Sequence, residues 1–407
     1  MRASVWRVYL NVFDDNGNYT GFQEVSEDVE LDSLGTIDFA LDNTDYNIGI
    51  YRNSNFSITF RNDSGKYSDV GQPTSIFRYT RTNSLLKITW QGNDKPLLSG
   101  FFKAGGEVLC PEIEVFQGFL SDKDLTMDML TQELAFTVLG KETVLSAATV
   151  PFGSLTIGDT ISSIIYASLN QTSITDVLTV DPANINVGID TATDAIADLE
   201  NKTVWDALQD LLLISNSVLY IKNEAIIVAP RTVDSSLAYT FYGQSSILGP
   251  ENIQDLQNIQ NGIARTFNYL YWGPSNETVQ NSASVAKYGA TTKEFTQTYI
   301  TNTTNQAAIL NDILDEFGLP KQEFDLYTPL NYSTIQLFLL NQIQIDFPPQ
   351  YLVPPLGLPI CGLAICGECE TPSAIWSFTE NPSNSYKVEG TSIDPQTDLM
   401  CISVRRV

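Results

Sequence analysis

The stretch Asn55-Phe-Ser-Ile-Thr-Phe-Arg-Asn-Asp-Ser-Gly-Lys-Tyr67 decides the fold class. Phe56, Ile58 and Phe60 alternate with Ser57, Thr59 and Arg61, the period of two that marks a strand with one buried face. Asn62-Asp63-Ser64-Gly65 then ends the run. Asx side chains bond their own backbone there, and glycine turns at no steric cost. The same order stands just upstream in Gly35-Thr-Ile-Asp-Phe-Ala-Leu-Asp-Asn-Thr-Asp-Tyr46: alternating strand, acidic turn, aromatic. These acidic turns read as hairpin chemistry, because their spacing is not that of an EF-hand calcium loop.

Working outward, the β pattern holds on both sides. Trp6, Val8, Leu10 and Val12 alternate with Arg7, Tyr9, Asn11 and Phe13, and Asn16-Gly17 beyond them is a hairpin turn. Ser84–Gln91, Ile113–Phe119 and Glu133–Leu139 are further strands, a series of short strands and turns that suits a barrel or a sandwich. From residue 148 the period changes. Ile161, Ile164, Ile165 and Leu169 have helical spacing behind Asp159 or Thr160 as N-cap. A second helix covers Thr203–Ser215, with Val204, Leu208, Leu211 and Leu212 on its apolar face and Trp205 beside them. A hairpin about Lys222-Asn223-Glu224 follows, ending at Pro230-Arg231. Asn261–Trp272 then reads as a long strand and Val285–Tyr288 as a short one. Asn305–Phe317 is a helix stopped by Gly318. Tyr332–Phe347, Tyr386–Gly390 and Leu399–Val407 have strand composition, and Arg405-Arg406-Val407 reads as a solvated strand end. The fold class is therefore mainly β with an α+β insertion.

Composition removes whole classes of chemistry. The chain has 407 residues, 22 Lys+Arg against 48 Asp+Glu, a net charge of −26 and no His. No Ser-His-Asp triad, Cys-His dyad or His-ligated zinc can be built. Broad binding to DNA or to anionic membranes needs the cations this chain lacks. No Gly-rich phosphate loop, G-x-S-x-G elbow or H-E-x-x-H occurs. No stretch has the ~20 apolar residues of a membrane helix, and the N-terminus has no signal-peptide h-region. The expectation is synthesis in a cytoplasm without a membrane anchor.

Five cysteines are present: Cys110, Cys361, Cys366, Cys369 and Cys401. Cys361-x4-Cys366-x2-Cys369 followed by Cys401 has the spacing of a plant-type iron–sulfur site, and Cys366-x2-Cys369 alone is half of a zinc site. The same residues, set in the apolar run Leu358-Pro-Ile-Cys-Gly-Leu-Ala-Ile-Cys-Gly367, equally read as small buried hydrophobes. Cys361, Cys366, Cys369 and Cys401 are thus candidate ligands of a structural iron–sulfur cluster or zinc.

Taken in order, the segments resemble the baseplate hub (tail-tip hub) proteins of tailed bacteriophages. The resemblance is carried by the two strand-plus-turn units and by Val115-Phe-Gln-Gly-Phe-Leu120 continuing to Phe136–Leu145. It continues through Thr203–Leu211 with Leu219–Arg231, through Asn261–Tyr269 with Ser282–Gly289 and the following helix, and through the C-terminal strands. Leu356–Thr371, with its cysteines, departs from the family pattern. The resemblance implies two tube-like antiparallel β-barrel domains plus an α/β domain. The first tube-like domain is expected at 1–147 and the second at 236–292 and 332–407. The α/β domain is expected at 148–235 with a return at 293–331. It further implies a homotrimer in the virion's tail tip, whose six tube-like domains match the six-fold tail tube. Its partners would be the tail tube or distal tail protein and the central spike, tip or fibre proteins. DNA would pass through the channel without specific binding, and no catalytic residue is expected.

Overall fold

In a computed structural model, the described residues are 4–13, 19–41, 49–53, 55–63, 65–67, 75–76, 84–92, 111–128, 132–151, 153–196, 198–200, 202–231, 236–243, 252–260, 265–346 and 385–407. The strands begin with β1 (Val5–Phe13), β2 (Tyr19–Glu24), β3 (Ile37–Leu41), β4 (Gly49–Asn53) and β5 (Phe56–Arg61). Next come β6 (Leu85–Gln91), β7 (Ile113–Asp128) and β8 (Glu133–Gly140), then helices α1 (Thr143–Ala147), α2 (Ile161–Leu169), α3 (Thr172–Thr175) and α4 (Val204–Ile214). They are followed by β9 (Ser217–Lys222), β10 (Ala225–Pro230), β11 (Leu237–Tyr242), β12 (Asp255–Gln260), β13 (Tyr269–Trp272) and β14 (Glu277–Gln280). The chain ends with α5 (Ser282–Tyr288), β15 (Thr292–Phe295), α6 (Thr303–Phe317), β16 (Glu323–Pro329), β17 (Gln342–Asp346), β18 (Ser385–Asp394) and β19 (Leu399–Arg406).

The first sheet runs β2-β1-β6-β7-β8-β5, antiparallel throughout. Its free ends meet, because the chain leaving β2 pairs Val29 with Phe60 of β5 and donates from Glu30 N to Thr59 O at 3.0 Å. Alternation drives the closure: Leu134, Phe136 and Val138 of β8 and Phe56, Ile58 and Phe60 of β5 all point inward and are buried. Gly118 of β7 faces Gly140 of β8 in this ladder, and a Cβ on Gly118 would strike the Leu139 carbonyl oxygen.

A second six-stranded path runs β11-β17-β18-β19-β16-β12. Asn252 N donates to Tyr242 O at 3.1 Å, which draws its two ends together. With strands counted in chain order within each unit, both units read first-fourth-fifth-sixth-third-second around the circle. One strand differs in direction: β11 runs parallel to β17, whereas its counterpart β1 runs antiparallel to β6. The inner residues of both units belong to one continuous apolar cluster, from Trp6 and Trp90 to Tyr386 and Val404.

The echoing segments around residues 37–41 and 56–61 do not serve the same sheet. β5 enters the first sheet, whereas β3 and β4 leave it, β3 pairing with β18 of the second path and β4 with β9. The segment 1–147 therefore supplies strands to both sheets. Periodicity specifies which face of a strand is buried and carries no information about its neighbour.

The α/β portion packs α1, α2, α4, the β9–β10 hairpin, the small β14-β13-β15 sheet and α6 around its own core. Its helices begin where Ser, Thr and Asn side chains cap them. Thr160 accepts from Ser163 N, Thr203 from Asp206 N, and Asn302 from Thr304 N and Asn305 N. Asn223 (φ 50°) and Glu224 (φ 65°) make the tight hairpin turn between β9 and β10.

Three expected strands are revised. Val285–Tyr288 is the end of helix α5, because Asn281 caps it by accepting from Ser284 N and Gly289 at φ 82° stops it. Of Asn261–Trp272, only Tyr269–Trp272 is the strand β13 among the described residues. Asn268 just before it is fully buried and spends its side chain on Thr291 N, Ser284 Oγ and Gly289 O. Tyr332–Phe347 opens with a 3-10 turn at Thr334–Gln336, where Asn331 Oδ1 accepts from Ser333 N and Thr334 N; among the described residues the strand is Gln342–Asp346.

Candidate functional site

The most concentrated chemistry among the described residues lies where the α/β portion meets the second sheet. Helix α6 delivers Glu316 and Phe317, and the chain leaving β10 delivers Arg231. Neighbouring strands present Glu323 (β16), Lys387 and Glu389 (β18) and Arg405 (β19). Lys387 Nζ donates to Glu316 Oε1 at 2.9 Å, and Arg231 Nη2 donates to Glu389 Oε1 at 2.8 Å. Arg405 Nε lies 3.4 Å from Glu323 Oε1, Arg265 Nη1 3.2 Å from Glu323 Oε2, and Lys321 Nζ 3.3 Å from Glu316 Oε2. The guanidinium carbons of Arg231 and Arg405 sit 4.9 Å and 4.8 Å from the Phe317 ring centroid, so both are placed for cation–π contact. Arg231, Lys387 and Arg405 are all nearly inaccessible to solvent.

The electrostatics follow from burial. At Glu316, burial would raise the carboxyl, but Lys387, Arg231 and Lys321 outweigh it and hold it down at about 2. At Lys387, burial and then the neighbouring Arg231 push the ammonium down to about 8, against Glu316 and Glu389. The two ends of this pair are unequal because Glu316 pairs with four cations, Lys387, Lys321, Arg231 and Arg405, whereas Lys387 is desolvated beside another cation. Glu323 is raised by burial despite Arg265 and Arg405. A cleft of about 250 Å³ opens beside Arg265, lined also by Asn258, Glu323, Asp325 and Glu389. Its carboxylates are engaged. Arg265 and Arg405 hold Glu323, and Asp325 accepts from Asn258 Nδ2 and Ser403 Oγ, each at 2.6 Å. This arrangement clamps two structural units together.

Sequence reading missed most of this cluster. Arg405, expected at a solvated strand end, is 1% exposed. Its charge is tolerated because Glu323, Glu316 and the Phe317 face surround it. Two consecutive cations, Arg405 and Arg406, on a strand that otherwise alternates apolar residues such as Ile402 and Val404 were the available signal; the partners of Arg405 lie far away in sequence.

Of the candidate metal ligands, Cys361, Cys366 and Cys369 lie outside the described residues, as does Cys110. Cys401 is half-buried on β19 opposite Ser392 and Tyr327. Burial, with Asp325 adding to it, pushes its thiol up to about 11. Among the described residues, no group of three or more Cys, Asp or Glu side chains is arranged to hold a metal ion. Also among them, no helix is long and apolar enough to cross a membrane.

No protein-family model matches the chain, and no curated protein sequence matches it. Solved structures do. A tail protein from Neisseria meningitidis MC58 superposes with a TM-score of 0.57 at 9% identity, covering 100% of this chain and 97% of that one. The 43 kDa tail protein of prophage MuSo2 from Shewanella oneidensis gives 0.53 at 10% identity over 99% and 98% of the two chains. A prophage tail protein from Listeria monocytogenes EGD-e gives 0.50 at 10% identity over 98% and 94%. Over essentially its whole length, the chain has the fold of these phage-type tail proteins.

Proposed function

We propose that the protein is a structural component of a phage-type tail and forms the trimeric hub that joins the six-fold tail tube to the tail tip. The observation that carries this reading is the duplicated unit: two six-stranded sheets with one cyclic strand order in a single chain. Three such chains would present six equivalent units to a six-fold tube, with the α/β portions outside. Whole-length likeness to tail proteins supports the same assignment. No reaction is needed for this role, and the engaged carboxylates of the central cluster are in keeping with it. A net charge of −26 suits a channel wall past which DNA slides, since like charge repels the phosphate backbone.

Particle symmetry tests the proposal. Cryo-electron microscopy or native mass spectrometry of the purified assembly should give a three-fold ring. A six-fold ring with one chain per tube position would assign the protein to a distal-tail or tube-end ring instead. A stable monomer, or lysis of cell-wall substrate in a zymogram, would remove the structural hub reading.

A further inference from the structure

The two six-stranded units match in register as well as in order. In the first, Arg61 pairs with Glu133, Phe60 with Leu134, Ile58 with Phe136 and Phe56 with Val138. In the second, Pro329 pairs with Leu399, Thr328 with Met400, Leu326 with Ile402 and Phe324 with Val404. The last three pairs of each set are buried. The residue entering the sixth strand matches too. Gln132 (φ 57°) and Asp398 (φ 53°) both stand in the left-handed region just before that strand. Each carbonyl accepts from the residue that follows the third strand, Gln132 O from Asn62 N at 2.9 Å and Asp398 O from Leu330 N at 2.8 Å. Gln132 is therefore the structural counterpart of Asp398.

Asp398 is where the second unit grips the first. Its carboxylate accepts from Trp6 Nε1 at 2.9 Å and from Ser4 Oγ, both at the start of β1. On the same turn Gln396 Nε2 donates to Asp32 O at 2.8 Å. One unit thus presents the turn before its sixth strand, and the other the start of its first strand. Two different surfaces meet, so the contact is heterologous, and a heterologous contact can repeat from copy to copy until it closes a ring. The counterpart turn of the first unit is bare: Gln132 is exposed where Asp398 is half-buried. In the second unit, β11 is reversed relative to β1, so the place of the start of β1 is taken by the end of β11, at Tyr242 and Gly243.

We propose that the turn of the first unit, at Gln132 and Asp63, docks on the end of β11 of a second copy, so that the contact made inside each chain at Asp398 is repeated between chains. The proposal deepens the trimeric-hub reading and rests on it, since three two-unit chains joined in this way alternate internal and external contacts around one ring.

The test places the photo-crosslinker p-benzoylphenylalanine in the full chain at position 132 or at position 63, the latter exposed one residue beyond the Asn62–Gln132 bond. A control variant carries it in place of Asp176, exposed at the end of α3 on the α/β portion. The purified proteins are irradiated in about 0.15 M salt, where charges beyond ~8 Å are screened. Adducts of two chains are isolated and mapped by mass spectrometry after trypsin. The probes at 132 and 63 should each join to peptide 232–265, which carries β11 and β12, and the probe at 176 should not. Native mass spectrometry of the same samples separates this contact from the hub reading. A trimer whose probes at 132 and 63 join to the same turn of another copy, to the α/β helices or to nothing overturns the proposal and leaves the hub standing. A six-chain ring with adducts to 232–265 keeps the contact and removes the trimeric hub. A monomer without adducts overturns both.

Discussion

Arg231 Nη2 donates to Glu389 Oε1 at 2.8 Å, joining the exit of β10 to β18 across 158 residues of chain. Both side chains are buried, so each needs the other more than a surface pair would. Lys387 and Arg265 also approach Glu389, each at 3.8 Å, farther than Arg231. Arg231→Met should cost about 3 kcal/mol in urea unfolding. The double variant with Glu389→Met should recover part of that loss, a coupling of about 1–3 kcal/mol. Strict additivity of the two single effects would mean the pair does not act as a unit.

Glu316 gives an acid-sensitive contribution with a definite sign. Its carboxyl is ordinarily near 4.5 and falls to about 2 in the folded protein. Folding therefore binds the charged form more favourably, and the contribution is fully present above pH ~4.5. It is lost as pH falls from there through about 2. Glu316→Gln should lower stability at neutral pH, and the gap to the native protein should close across that acid window. A gap that stays constant with pH would refute the ion-pair account.

Tyr332 ties the second half of the chain to the first sheet. Its hydroxyl proton is shared between Gly92 O at 3.1 Å and Pro111 O at 3.0 Å, and its ring packs 5.1 Å from Trp90. Tyr332→Phe should cost about 1 kcal/mol, the net value of a hydrogen bond. Tyr332→Ala should cost about 3–5 kcal/mol through the cavity beside Trp90. Equal losses in chemical denaturation would shift the weight from the ring to the hydroxyl.

Cys401 lies on β19 opposite Tyr327, where burial favours the neutral thiol of the metal-free chain. Metal analysis and a visible spectrum of protein purified without oxygen, compared between the native chain and Cys401→Ser, test whether Cys401 is a ligand; equal metal content in the two would exclude it. A drop in iron or zinc on substitution would make Cys401 a ligand with Cys361, Cys366 and Cys369.

Local features were readable in advance. The β1 and β5 alternations, the β6 and β8 strands, the Thr160 cap, the hairpin at Asn223-Glu224 and the α6 helix ended at Gly318 all came from residues within a few positions of one another. Val285–Tyr288 misled because a β-branched residue and a tyrosine outweighed Asn281 and Gly289, whose capping roles were the better guide. The ionic cluster was not readable as a cluster: Arg405 beside Arg406 on an apolar strand was its one local signal, and Arg231, Glu316, Glu323 and Lys387 are scattered over the second half of the chain.

By itself the amino-acid order determined a mainly β chain with an α+β insertion, free of imidazole chemistry and strongly acidic. Those are properties of composition and of short-range periodicity. Only the tertiary structure decided that β3 pairs with the distant β18 as well as with β4, that the two six-stranded units share one cyclic order, and that Arg405 is buried against Phe317. The physical reason is range. A two-residue or 3.6-residue period declares which face is apolar, but strand partners and buried ion pairs are chosen by packing between segments that meet only when the whole chain has folded.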